Sequence, residues 1–237
     1  MLRSTLVAAV LGGMAPGAAA AQTAPAVSAP DSALPAAGRP VARIVSIAWD
    51  NEVRRDAVGE ADRVFSLLKL APGTRVADIG AGAGYYTTRL ARRLAPTGMV
   101  YAQDIEQRIL DSLGARVARE KLEGVTLVLG TPDDPKLPGA SVDLALLSHM
   151  YHEIARPYDF LYNLRPSLAP GGRVAIIDSD KPTASHGTPP AVLRCEMTAL
   201  GYREVSFDKL EPATGYLAVF AAPDTLPPPS SVVACTS

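Results

Sequence analysis

Val76-Ala77-Asp78-Ile79-Gly80-Ala81-Gly82-Ala83-Gly84 is the stretch on which the reading of this chain turns. An apolar run carrying one acid ends in three glycines that alternate with small residues. An amphipathic helical pattern from Tyr85 to Leu94 follows at once. The order predicts a strand, a tight turn and a helix start. Glycine has no Cβ and tolerates positive φ, so such a turn exposes bare backbone to a ligand. The first N–H groups of the helix, which have no partner within it, face the same way. Working outward, the next apolar run, Met99 to Gln103, closes on Asp104, 26 positions after Asp78, a spacing that suits one β-α-β unit.

The glycine spacing narrows the ligand. Nicotinamide and flavin folds use G-x-G-x-x-G, with a pyrophosphate on the helix end. Here the pattern is D-x-G-x-G-x-G, from Asp78 to Gly84. It resembles motif I of the class I S-adenosylmethionine (SAM)-dependent methyltransferases, and the resemblance extends over roughly residues 50 to 221. It implies that Gly80, Gly82 and Gly84 admit SAM and that Asp78 supports the turn and the cofactor's amino group. Asp104, closing the second strand, is placed to accept both ribose hydroxyls. An acid after the third strand would receive the adenine amino group. Counting back from Leu137-Pro138 favours Asp133, with Asp134 as rival and a turn-forming aspartate beside Pro132 and Pro135 as the structural reading.

Ser148-His149-Met150-Tyr151-His152-Glu153 follows the fourth strand. It lacks the [DNS]-P-P-[YF] motif of the nucleobase and glutamine methyltransferases. It resembles instead the small-molecule branch, including the ubiquinone- and menaquinone-biosynthesis type. That likeness puts Ser148 or His149 nearest the sulfonium, while His152 either touches substrate or, with Glu153, braces the next helix. In the loop Asp178 to Pro190, His186 is a candidate general base, its ordinary pKa being close to neutral, or else a surface histidine.

Around these motifs apolar runs alternate with amphipathic ones. Strands are expected at 75–79, 99–103, 125–129, 142–147 and 173–178, and helices at 85–94, 106–119, 156–168 and 191–200. Two further runs, 202–207 and 215–221, fit an antiparallel hairpin. An earlier helical pattern, Val53 to Leu68, takes Asp50 or Asn51 as its cap, and its charged face (Arg54, Arg55, Asp56) reads as solvated. The fold class is therefore α/β: a Rossmann-like, doubly wound, mostly parallel seven-stranded sheet with a C-terminal antiparallel hairpin. The methyltransferase domain is expected over residues 41–222.

The chain has 237 residues, 48% hydrophobic and 20% charged, with a formal net charge of −1. That balance supports a sizeable core and offers no basic excess for nucleic acid. Residues 1–21 read as a signal peptide: Arg3, an apolar stretch from Leu6 to Leu11, and a small-residue cleavage site before Gln22. Residues 22–40 read as a flexible linker and 223–237 as a disordered tail. Export to the periplasm is expected, without stable membrane insertion after cleavage. The cytoplasm, where SAM is made, is the alternative. Cys195 and Cys235 lack a C-x-x-C spacing and read as idle or buried thiols, a bridge being the lesser expectation. No zinc-ligand spacing is present, so no metal is expected. The functional expectation is a SAM-dependent enzyme that methylates a small-molecule acceptor, its oligomeric state left unassigned. The alternatives are a non-catalytic SAM-binding module and a nicotinamide-dependent oxidoreductase.

Overall fold

The structure, a computed structural model, describes residues 32–45, 52–211 and 215–236. Residues 1–21, read above as a signal peptide, residues 22–31 of the expected linker, and Asp50 and Asn51 lie outside the described residues. Ahead of the sheet stand two helices, α1 (Glu52–Ala57) and α2 (Glu60–Leu68), where one was expected. The break falls at Gly59, whose φ of 64° lies in the left-handed region and cannot continue a helix. Then follow β1 (Arg75–Ile79), α3 (Tyr85–Leu94), β2 (Met99–Asp104), α4 (Gln107–Arg119), β3 (Val125–Leu129) and β4 (Val142–Ser148). α5 (Pro157–Leu164), β5 (Leu168–Asp178), α6 (Pro190–Ala199), β6 (Arg203–Lys209) and β7 (Tyr216–Ala221) complete the sheet and its cover.

The seven strands lie in the order β3-β2-β1-β4-β5-β7-β6. β1 pairs in parallel with both β2 and β4, so the chain reverses direction of growth between them. β7 runs antiparallel to β5 and β6, forming the expected terminal hairpin. α5 is shorter than the pattern suggested, because Pro166 offers no N–H and the last turn tightens to a 3-10 helix at Arg165–Ser167. β5 begins five residues earlier than expected: Val142 pairs with Leu168 and Leu144 with Arg173, so the chain between, including Gly171-Gly172, bulges out of register.

The period-2 alternation of the central strands divides the core between two faces. Ala77, Ile79, Ala145, Leu147, Val174 and Ile176 pack with α5 and α6 on one side. Val76, Leu144, Leu146, Ala175 and Ile177 pack with α2 and α3 on the other. The near-continuous apolar run of β4 is the signature of a strand covered on both faces.

Both terminal segments depart from their compositional reading. Of the expected linker, Leu34 and Arg39 are buried. Of the expected disordered tail, Cys235 is buried, bonded to Cys195 on α6, and its backbone N–H donates to the Tyr158 hydroxyl at 2.7 Å. Gly38 and Thr236 meet in a parallel bridge. The anchors are a cross-link, single side chains and one strand-like contact, none of which produces an apolar periodicity.

Candidate functional site

A cleft opens beyond the carboxyl ends of β1, β2 and β4, where strand order reverses and open parallel sheets place their ligands. Its floor is Gly80 to Ala83, Asp104, Ile105, Thr131 and Pro132, with Ser148, His149 and Met150 from the end of β4. Ile44, Val45, Arg55, Tyr85, Glu153, Ile154 and Phe160 also line it.

The glycine turn is held open by its backbone. Gly80 has φ +66°, and a Cβ there would stand 3.2 Å from Met150 Cγ. Gly84, at φ +91°, is the N-cap of α3 and backs onto the Leu113 side chain, leaving no room for a Cβ. Both positions therefore require glycine on conformational and steric grounds. Gly82, at φ 54°, donates its N–H to Asp104 Oδ2 at 3.0 Å, while Asp104 Oδ1 accepts the Glu106 N–H at 3.1 Å. Asp104 is thus oriented by two backbone donors at the cleft wall.

Asp78 lies beneath the turn, buried, rather than on the cleft lining. It accepts the Thr87 hydroxyl at 2.6 Å and the Thr87 backbone N–H. It thereby caps α3, whose own N-cap glycine has no side chain to do so. Burial pushes the Asp78 carboxyl up to about 6, the Thr87 bonds and the Arg55 charge acting against it and Asp104 adding to it. A carboxyl raised in the folded state stabilises fully below its unfolded pKa, and that contribution is lost as pH rises through the folded value. Between about pH 4 and pH 7.5 the protein should therefore lose roughly 2.5 kcal/mol of stability through Asp78. Asp78→Asn should remove most of that difference, as measured by urea unfolding of ligand-free protein at both pH values. An unchanged pH dependence would show that Asp78 is not its source.

Asp133 does not line the cleft. Its carboxylate accepts the Thr131 hydroxyl at 2.7 Å, while Asp134 pairs with Lys136 at 2.6 Å. Thr131 and Pro132 are the residues of this loop that reach the wall. Ser148 and His149 do line it. His149 takes φ +53°, uncommon for a side-chain-bearing residue and frequent at functional sites, and donates its N–H to Ile177 O at 2.8 Å. Burial, with the Arg55 charge second, holds its imidazole below the ordinary histidine range. His152 and His186 stand apart from the lining and against each other, ring centroids 5.4 Å apart and edge-on. His152 is buried, and its Nδ1 lies 3.0 Å from Asp178 Oδ1.

Two contributors escaped the sequence reading. Arg55, assigned there to a solvated helix face, stacks its guanidinium 3.6 Å over the Tyr85 ring and pairs with Glu60 at 2.5 Å. Val45, three residues past the buried Ala42, lines the cleft and donates its N–H to Glu153 at 3.0 Å. Only the Tyr85-Tyr86 pair at the start of α3 hinted at a cation-binding surface.

Residues 77–176 match the family described as a methyltransferase domain. The trans-aconitate 2-methyltransferase of Mycobacterium tuberculosis is 30% identical over 164 residues, 67% of this chain and 59% of the relative. The ubiquinone/menaquinone biosynthesis C-methyltransferase of Cupriavidus taiwanensis is 26% identical over 155 residues, 61% of this chain and 62% of the relative. Across the first curated relatives, the chain spans from 28% to 62% of their length. A crystal structure of a SAM-dependent methyltransferase from Aquifex aeolicus superposes with a TM-score of 0.65, covering 70% of this chain and 91% of that one, and at 22% identity it shows a shared fold. With the strand order, the terminal hairpin and the glycine turn already described, these likenesses place the chain in the class I SAM-dependent methyltransferase superfamily.

Proposed function

We propose that this protein transfers the methyl group of SAM to a small-molecule acceptor by in-line displacement. The observation that carries the reading is the side-chain-free turn at Gly80–Gly84, with Asp104 fixed beside it at the point where the sheet reverses direction. Asp104 retains lone pairs for the ribose hydroxyls, and the backbone of Gly80 to Ala83 receives the amino-acid end of the cofactor. Thr131 and Pro132 border the adenine end, with Asp133 one residue behind them. Ser148 and His149 border the reacting centre, and of the three histidines His149 is the one on the cleft wall.

The methyl of SAM sits on a positively charged sulfur and is already activated. The protein's part is to align acceptor, methyl and sulfur and to exclude water, and such orientation contributes roughly 7–11 kcal/mol. Small acceptors appear in the names of the relatives, which include an arsenite methyltransferase of Halobacterium salinarum as well as the two described above. Export is inferred from the signal-like residues 1–21. The Cys195–Cys235 bond supports it, since structural disulfides persist in oxidising compartments.

Calorimetric titration with SAM, followed by a labelled-methyl assay on cell extracts, tests the reading. SAM should bind, and Asp104→Ala should weaken it by about 1.5–3 kcal/mol through loss of a charge-assisted hydrogen bond. Unchanged affinity would remove Asp104 from the site. Binding without transfer to any extract component would favour the non-catalytic module, and a preference for NADH the oxidoreductase.

A further inference from the structure

The three histidines of this chain are scattered in sequence, yet the fold brings two of them together with an acid. We infer that His152, Glu153 and His186 form a binding site for one divalent transition-metal ion of the zinc or ferrous class. His152 and Glu153 lie on the 3-10 turn Tyr151–Glu153 that follows β4, and His186 closes the turn Thr183–Ser185 after β5. Their ligand atoms all lie within 4.8 Å of one another. Metal bonds of about 2.1 Å set ligand atoms roughly 3–3.5 Å apart, so small side-chain rotations close the triad.

The polarity of His152 is what points to a ligand. Asp178 is wholly buried and accepts from the Ser179 N–H at 2.8 Å and the Thr188 hydroxyl at 2.7 Å as well as facing His152 Nδ1. With Asp178 as acceptor, the tautomer of His152 that carries its proton on Nδ1 is the one that completes this contact. The opposite nitrogen, Nε2, then presents a lone pair. It is buried and has no hydrogen-bond partner among the described residues. A buried polar atom without a partner costs free energy. A carboxylate behind a histidine whose far nitrogen is unpaired is the arrangement that orients metal-bound imidazoles. His186 is turned onto the same spot by a left-handed backbone, φ +55°, which a residue with a side chain adopts under constraint. Glu153 contributes a carboxylate whose Oε1 is steadied by the Val45 N–H.

Two imidazoles and one carboxylate are the donor set of open zinc and ferrous sites, which leave coordination positions for a further ligand. Glu153 is also part of the cleft wall. An acceptor carrying an oxygen or sulfur donor would therefore be drawn to the open positions from the cleft. This last step rests on the methyl-transfer reading, whereas metal binding does not.

The test is metal binding itself. Full-length protein, stripped with a chelator, is titrated with Zn²⁺ against a chromophoric competitor, and with Co²⁺ followed by its visible absorption. One equivalent should bind, and His186→Ala and Glu153→Gln should each weaken it at least tenfold. Both residues are only partly buried, so these variants are expected to fold, whereas His152→Ala would empty a buried position. Asp178→Asn should weaken binding by tenfold to a hundredfold as a positioning effect. Failure of the unaltered protein to bind one equivalent, or less than tenfold loss in either ligand variant, overturns the site. A separate SAM titration of the same stripped protein keeps that result distinct from failure of the methyl-transfer reading.

Discussion

Replacing Arg39 with alanine is expected to destabilise the protein by about 3–5 kcal/mol, the cost of breaking a buried ion pair from one side. Arg39 Nε donates to Glu196 Oε1 at 2.8 Å, and both side chains are fully buried. Nη2 donates to the Tyr151 carbonyl at 3.3 Å, and the guanidinium lies 5.4 Å from the Tyr151 ring centroid. The Tyr151 hydroxyl, in turn, donates to Glu196 Oε2 at 2.7 Å. Without Arg39 the Glu196 carboxylate keeps, among the described residues, the Tyr151 hydroxyl as its one side-chain donor, in a buried site. Urea unfolding monitored by circular dichroism reads the loss directly. The double variant Arg39→Leu/Glu196→Leu should recover most of it, since no charge is then stranded. A loss below about 1 kcal/mol in the single variant would mean that water reaches the carboxylate and that the pair is not sealed.

The second large effect concerns Cys195 and Cys235, separated by 40 residues. Closing a loop of that length removes enough freedom from the unfolded chain to contribute roughly 4 kcal/mol. Cys235→Ser, or reduction of the unaltered protein, should lower the urea midpoint accordingly. Glu196 adjoins Cys195, so the reduced protein should also respond less than additively to Arg39→Ala if loosening the tail loosens α6. A midpoint indifferent to reductant would show that the tail is held by its other contacts, the Tyr158 hydroxyl and the Gly38 bridge.

What was legible in the sequence was what repeats. The strand runs alternate with period 2 and the helices with period near 3.6, so six of the seven strands are legible to within two residues, and the order of elements with them. The glycine turn was legible for a different reason: positive φ and close backbone approach leave few choices of residue, and Gly80 and Gly84 carry both constraints. Asp104 followed from its place at a strand end.

The misses share a cause. Arg39, Val45 and Cys235 act through contacts with residues 40 to 157 positions away, and no local pattern announces such a partner. Arg55 reads as one charge among several on a helix face, and the Tyr85 ring it covers lies 30 positions along the chain. Asp133 was chosen by counting along a loop, yet it is Thr131 and Pro132 that reach the wall, because the Thr131–Asp134 bridge folds the loop back on itself. The histidines were read one at a time, whereas the tips of two adjacent parallel strands, β4 and β5, bring His152 and His186 together.

The segment from Ser32 to Val45 also sets practical limits on how the protein can be shortened. Cutting back to the first helix at Glu52 would discard the buried cation at Arg39, the backbone donor to Glu153 and two wall residues of the cleft, Ile44 and Val45. A soluble fragment made that way would retain the sheet and the glycine turn, yet present a binding site with one side missing. Tags and fusion partners therefore belong upstream of Ser32, and weak ligand affinity in a shorter version would reflect the trimming rather than the chemistry of the parent protein.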